Sequence, residues 1–455
     1  MFPIYLVLML VVAVLAFVAG RRRGKALAAS GAHIHSLPTY HGLFTASAAL
    51  IPMLALLVIW GPVAPRIIEH FAIAALPADL QPADDMARSS VIRDIQMAAD
   101  GLGEPTPAIH AAGAAYATWR TVLNVGLLGL GTLLGILGAW WAYSSLAPLF
   151  RARNRFESVV KVALIACSAV AILTTIGIVF SVMFETLRFF ARYPVFDFLF
   201  GLQWSPQTAI REDQVGSSGA FGAVPLFAGT TLIMLIAMLI AGPIGLFSAI
   251  FMAEYASPRV RGLAKPVLEI LAGVPTVVFG FFAALTVAPL LRSTGQSIGV
   301  DVASESALAA GLVMGVMIIP FVSSLSDDII NAVPQSLRDG SYAIGATHAE
   351  TIKRVVLPAA LPGIVSAFML AVSRAVGETM IVVMAAGLAG NLTLNPLEAV
   401  TTVTVQIKTL LVGDQEFDSA KTLSAFALGF VLFFFTLALN IIALKVVRKY
   451  REQYD

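Results

Sequence analysis

Nine apolar stretches dominate the chain, at roughly 2–20, 43–62, 121–149, 159–183, 223–252, 267–291, 306–325, 359–385 and 422–444. Each is long enough, or nearly so, for the roughly 20 residues that a helix needs to cross hydrocarbon. No water there satisfies a free backbone N–H or C=O, so spanning segments close their hydrogen bonds internally. The pattern predicts an all-α polytopic membrane protein with about nine transmembrane helices. The first stretch does not read as a cleaved signal peptide. Its basic cluster, Arg21-Arg22-Arg23-Gly24-Lys25, follows the apolar run, whereas a signal peptide carries positive charge before it.

The pattern also divides the chain. Residues 1–185 hold four spans and a long outer (periplasmic) loop, 63–118, rich in Ala, Pro and Asp. Residues 186–222 read as a connecting segment on the same side. From 223 to 450 the spans shorten, polar residues gather at their ends, and one large inner loop covers 326–358. Gly131 and Gly135, four apart in the third span, favour close helix packing.

Composition agrees with this reading. The chain has 455 residues, 58% hydrophobic and 12% charged, with mean hydropathy +0.87, against about 25% charged in a soluble domain. A net charge of +2 without a long basic run gives no case for nucleic acid. One cysteine, Cys167, excludes a disulfide framework or thiolate metal site within the chain and reads as a small buried apolar residue. Charge also sets the orientation. With the N-terminus outside, the inner segments hold 18 Lys/Arg and the much longer outer ones 10, placing the C-terminus in the cytoplasm. Arg374 falls within a span.

The inner loop reads SDDIINAVPQSLRDGSYAIGATHAETIKRVVLPAALPGI from Ser326 to Ile364. Its pattern predicts a helix over 335–347, interrupted near Gly345, then a short helix to Arg354, with Pro334 and Pro358 bracketing the unit. Asp339-Gly340-Ser341, three residues, Gly345, nine residues, and Val355-x-Leu357-Pro358 together resemble the EAA loop of ABC-importer permeases. The family consensus is Glu-Ala-Ala, three residues, Gly, nine residues, Ile-x-Leu-Pro; here the first three positions depart from it. LAGVPTVVFGFF (271–282), MIIPFVSSLSDD (317–328) and SRAVGETM (373–380) resemble the phosphate-specific permease of the PstC type. The resemblance covers roughly 215–450, and residues 1–185 look like an extension found in a longer form of that family.

The resemblance implies a MetI-like permease core over 223–450 in a bacterial inner (plasma) membrane. Its coupling loop, 335–358, would dock on a PstB-type ATPase that binds ATP–Mg. Asp339, Gly340, Ser341, Gly345, Leu357 and Pro358 would form the docking element. A PstA-type second permease and a periplasmic PstS-type phosphate-binding protein would complete the importer. This chain itself carries no nucleotide loop, since Gly24-Lys25 lacks the required spacing. No catalytic arrangement suggests an enzyme, no cofactor is implied in the chain, and the cluster His33, His35 and His41 is weak metal evidence.

Candidate pathway residues come from the cost of charge and polarity inside a membrane. Arg374, about 24 Å along its helix from Pro358 at 1.5 Å per residue, reads as mid-span. Glu378 follows at i+4 on the same face, with Gly377 between. Two readings of this pair stand, a structural pin between helices and part of an anion pathway or its gate. Thr276, after the helix-breaking Gly273-Val274-Pro275, and Ser323 and Ser324, ending span seven, are further donors. Ser217, Ser218 and Gly219 precede span five, where free N–H groups at a helix start bind anions. The acidic stretches Glu212-Asp213 and Asp414-x-Glu416-x-Asp418 lie outside as contacts for the binding protein. Importers of other oxyanions (sulfate, molybdate, phosphonate) and a non-conducting phosphate-sensing scaffold remain alternatives.

Overall fold

The computed structural model describes residues 2–30, 33–82, 84–102, 106–208, 218–412 and 419–451. Among these, nine helices are long and apolar enough to cross a membrane. They coincide with the nine predicted stretches, and most extend further at one or both ends. By internal contacts the chain forms two units, Met1–Leu173 and Thr174–Asp455.

The first unit holds α1 (Phe2–Ala29), α2 (Pro38–Ala74), α3 (Asp85–Ala99), α4 (Pro107–Ser144) and most of α5 (Ala152–Phe190). Helices α2 and α4 start on proline, which needs no N–H partner in the first turn. The Asp84 carboxylate caps α3 by accepting from the Ala87 N–H, and Thr106 does the same for α4 at Ile109. Helices α1, α2 and α4 pack together. The Tyr5 hydroxyl donates to the Met53 carbonyl at 2.9 Å. A Cβ on Gly131 would lie 2.5 Å from the Tyr5 ring, and one on Gly135 2.6 Å from Met53 Sδ. The small-residue pair therefore serves close packing, as its spacing predicts.

Two expectations for this unit need correction. The stretch 63–118 is mostly helical, because α2 runs on to Ala74, α3 occupies its middle and α4 begins at Pro107. A small apolar cluster explains it: Ile95 of α3 is buried against Ala72, Leu76 and Ala112. Cys167 is exposed rather than buried. It lies on α5, whose apolar window holds no fully buried residue among the described residues.

The second unit continues with α6 (Val195–Phe200) and an antiparallel hairpin, β1 (Trp204–Thr208) with β2 (Ser218–Phe221), in which Trp204 pairs with Phe221. Then come α7 (Val224–Ile250), α8 (Pro258–Ala272), α9 (Thr276–Phe282), α10 (Ala288–Ser297), α11 (Ala307–Ala332), α12 (Gln335–Ala343) and α13 (His348–Thr351). The unit ends with α14 (Leu357–Val376), α15 (Met380–Ala385), α16 (Val403–Leu411) and α17 (Ala420–Arg451). Helix α11 is the buried axis, packed by α7, α8, α9, α14 and α15. Gly311 and Gly315 let it approach Ile236 and Ala237 of α7.

The helix ends depart from the sequence reading at several points. The sixth span starts at Thr276, since Gly273-Val274-Pro275 separates it from α8, a helix that turns its polar side inward and leaves Leu263 and Ile270 exposed. The inner loop loses 326–332 to α11. Ser218 and Gly219 lie in β2, not at the start of α7. Ser217, Glu212-Asp213 and the stretch Asp414 to Asp418 fall outside the described residues.

Pro358 does not end a helix. The backbone makes a π-turn over Ile352–Val356, with the Leu357 N–H bonded to the Ile352 carbonyl, and His348–Val376 is one continuous span. The wider turn accommodates the ring of Pro358 next to a carbonyl row it would otherwise clash with.

The packing of α4 generates a direct test. Gly135→Leu is expected to cost about 1–3 kcal/mol through overpacking and to lower the melting temperature of the purified protein. Gly129→Leu, on the same helix with nothing within 4 Å of its Cβ, is expected to stay within about 0.5 kcal/mol of wild type. Equal shifts in the two variants would refute close packing at Gly135.

Candidate functional site

The segment after α11 is a short, well-fastened knob. Pro334 forces a turn after Ala332 and leaves the last carbonyls of α11 without helical partners. Arg338 supplies the donors. Its guanidinium bonds the Ile330 carbonyl at 2.9 Å, the Val333 carbonyl, and the Glu254 carboxylate at 2.9 Å, and the residue is 8% exposed. Glu254 sits in the π-turn that ends α7. One side chain thus joins the ends of α7 and α11 to α12.

Helix α12 stops at Ala343 and Gly345 takes φ +90°, a left-handed conformation that L side chains rarely adopt. The chain reverses into α13, where Thr347 and Glu350 form a capping box. The Ser341 and Thr351 hydroxyls meet at 2.9 Å in the interior of this turn, and the Tyr342 hydroxyl meets His348 Nδ1 at 2.8 Å. His348 Nε2 lies 3.2 Å from the Glu254 carbonyl. Of the residues singled out from the motif, Ser341 is thus structural, Gly345 makes the reversal, and Asp339 accepts from the Gln335 amide. Gly340 and Gly345 face open space. Between them Ile344 is 87% exposed, an apolar tip on a polar element. Leu357 and Pro358 begin α14 rather than closing the knob.

A second ionic cluster lies one turn inward. Asp327, fully buried on α11, accepts from Arg261 at 3.0 and 3.2 Å and from Lys265 at 3.1 Å, both on α8; Lys265 also reaches Asp328 at 2.7 Å. The Asp328 carboxylate first, and Asp327 with it, push the Lys265 ammonium above the ordinary lysine value. Asn331 donates to Asp327 as well. This cluster escaped the sequence reading. Its signal is visible in retrospect as an acidic pair at the end of an apolar run and two cations four apart on a preceding helix.

The pathway candidates fall in different places. Helix α14 ends at Val376 with Gly377 as its C-cap, so Arg374 lies in the last turn and not at mid-span. Glu378 is past that end and does not share a helical face with Arg374. Its carboxylate accepts instead from the N–H groups of Met380 and Ile381, capping α15. No Arg374–Glu378 ion pair forms among the described residues. Arg374 is exposed, with its guanidinium carbon 5.6 Å from the Phe321 ring centroid on α11. Phe321 and Ser324 are three apart and share a half-exposed stripe of α11 that continues to Asp328. Ser324 therefore lies on the same face of α11 as Phe321, whose ring is the one beside Arg374. Ser323 points the other way, fully buried with its hydroxyl unpartnered, and both serines lie inside α11 rather than at its end. Thr276 is half-buried at the first position of α9, which packs at Gly280 against Met380 and Met384 of α15. The breaks at 273–275 and 377–379 thus precede two helices in mutual contact.

Comparison with known proteins is consistent along the chain. Residues 6–174 match a family described as phosphate ATP-binding cassette transporter, and residues 241–452 one described as binding-protein-dependent transport system inner membrane component. A Bacillus subtilis protein, probable ABC transporter permease protein YqgH, is 33% identical over 272 residues, covering 59% of this chain and 83% of that one. The phosphate transport system permease protein PstC of Mesorhizobium japonicum is 32% identical over 266 residues, 54% of this chain and 77% of that one. Among solved structures, an inward-facing MetNI methionine ABC transporter chain aligns with TM-score 0.37 and 18% identity, covering 50% of this chain and 94% of that one.

The buried carboxylate makes an asymmetric prediction for stability. Replacing both Arg261 and Lys265 by Met strands a buried charge and is expected to cost about 3–5 kcal/mol. Asp327→Asn leaves two partly exposed cations free to turn to water and is expected to cost only about 1–2 kcal/mol. The triple variant is expected to recover part of the double variant's loss. Melting temperatures of the purified proteins check the order, and a double variant no worse than Asp327→Asn would refute it.

Proposed function

This chain belongs to the PstC-type permeases of binding-protein-dependent ABC transporters, and from that membership we propose that it conducts inorganic phosphate across the bacterial inner membrane into the cytoplasm. Hydrolysis of ATP–Mg takes place in a separate PstB-type chain, a PstA-type permease supplies the other half of the channel, and a periplasmic PstS-type protein delivers the ion. The knob at 335–358 and the C-terminus face the cytoplasm.

The observation that carries this reading is the knob itself. Its tip, Ile344 beside Gly340 and Gly345, presents apolar surface with open space around it. Its base is locked to α7 and α11 by Arg338. A contact that grips the tip therefore moves two spans together. Movement of α11 in turn shifts Phe321 and Ser324 beneath Arg374. In this reading Arg374 is the anion-binding residue of the pathway and Ser324 an accessory donor. Thr276 and Glu378 shape the two helix breaks beside it, and Ser323 is a packing residue.

Reconstitution of the complete transporter in proteoliposomes tests this. Uptake of labelled phosphate is expected to require ATP and to resist excess sulfate. Ile344→Asp is expected to abolish co-purification of the ATPase while leaving the chain folded. Arg374→Gln is expected to assemble, hydrolyse ATP and lose uptake about tenfold or more, as suits removal of a charged hydrogen bond of roughly 1.5–3 kcal/mol. Uptake without an ATP-hydrolysing companion, or preference for sulfate, would overturn the assignment.

A further inference from the structure

We propose that the first unit holds one anionic phospholipid in a cleft between α5 and the α2–α4 pair. The cleft has a volume of about 610 Å³. One wall is a stripe of α5, Arg155, Ser158, Val159, Val162, Ala163 and Ala166, repeating every three or four residues along one helical face. At 1.5 Å per residue this stripe runs about 16 Å. The facing wall carries the aromatic group Phe44, Trp141 and Phe150, in which the Phe44 and Phe150 rings lie 5.0 Å apart.

The two ends of the cleft differ in chemistry. Toward Ala166 the α5 wall is apolar, and Ser47 of α2 donates its hydroxyl to the Phe44 carbonyl of its own helix at 2.8 Å. Toward the turn between α4 and α5 the cleft is polar, with Arg155, Ser158 and Ser145 at the mouth. Both hydroxyls already donate to their own helices, Ser145 to the Trp141 carbonyl and Ser158 to that of Asn154, each at 2.8 Å. They are left as acceptors. The Arg155 guanidinium makes no ion pair or side-chain hydrogen bond among the described residues, whereas its neighbour Arg153 is bound to Glu157 at 2.6 Å.

Further positive charge collects at the same end. Arg23 of α1 bonds the Leu146 carbonyl at 3.3 Å and lies over the Tyr143 ring, which brings the 21–25 cluster beside this turn. An unpaired cation at the mouth of a long apolar cleft, beside a cluster in which basic residues outnumber the one carboxylate, Glu157, matches an acyl chain joined to a phosphodiester. A soluble anion would fill the mouth and leave the apolar length empty. A zwitterionic headgroup would bring a second cation into a positive field. Basic pockets between membrane helices bind anionic headgroups on this principle. The site is independent of which ion the second unit conducts.

The test uses the full-length chain in detergent, with dibrominated phosphatidylglycerol as quencher and the signal read as wild type minus Trp141→Phe. Quenching is expected to saturate at about fivefold lower lipid than with dibrominated phosphatidylcholine. Arg155→Gln is expected to bring the two lipids together. Arg151→Gln removes the same charge from the same end outside the cleft and is expected to shift the curve less than twofold. Ala163→Ile, which fills the apolar length, is expected to abolish saturation. The proposal is overturned if the two lipids titrate alike in wild type, or if the two arginine variants lose equally, which would mean general surface attraction. It is also overturned if inorganic phosphate displaces the lipid, or if Ala163→Cys in the assembled transporter cross-links to the second permease.

Discussion

The second unit depends on the guanidinium of Arg338. Pro334 stops α11, the carbonyls at that helix end need donors, and a fork of fixed geometry bonds those of Ile330 and the C-cap Val333 while a carboxylate from the end of α7 balances the charge. Lysine has neither the fork nor the reach to serve three partners at once. Because these bonds are sheltered, they fix the knob as a rigid extension of two membrane helices and not as a flexible loop. Force applied at Ile344 has no soft element to dissipate in before it reaches the bundle.

The spans were legible in the sequence because hydrocarbon imposes a length and a composition on any helix that crosses it. Their ends were not, because the ends answer to contacts far along the chain. Ile95 makes helix of a stretch that composition alone reads as loop, and Tyr5 reaches Met53, 48 residues on, to set how α1 meets α2. The knob follows the same division. Its spacing from Asp339 to Pro358 marked the element and its resemblance, whereas Arg338 gave no local sign of its role, since Glu254 lies 84 residues away.

Two rules of local reading failed for one physical reason. Reading proline as a stop and an i+4 pair as neighbours assumes an unbroken α-helical hydrogen-bond ladder. At Pro358 the ladder widens into a π-turn and the helix passes through. At Gly377 it ends, so Arg374 and Glu378 part company. The Gly377-Glu378-Thr379 run does mark the break, because the Glu378 carboxylate accepts from the Met380 and Ile381 N–H groups and starts a new helix there.

Separating that pair changes what Arg374 is able to do. An arginine bonded to a carboxylate is neutralised and must be released before it meets an anion. In the last turn of α14 it faces the negative end of the helix dipole, worth roughly 0.3–1 kcal/mol. The Phe321 ring beneath it contributes roughly 0.5–2 kcal/mol more. Together these offset part of the cost of placing an arginine within a membrane. Neither interaction consumes a directional N–H donor on a competing anion. The side chain is thereby held in place with its hydrogen-bonding capacity intact, on the α11 stripe that also carries Ser324. A carboxylate partner would have given more stability and left fewer free donors.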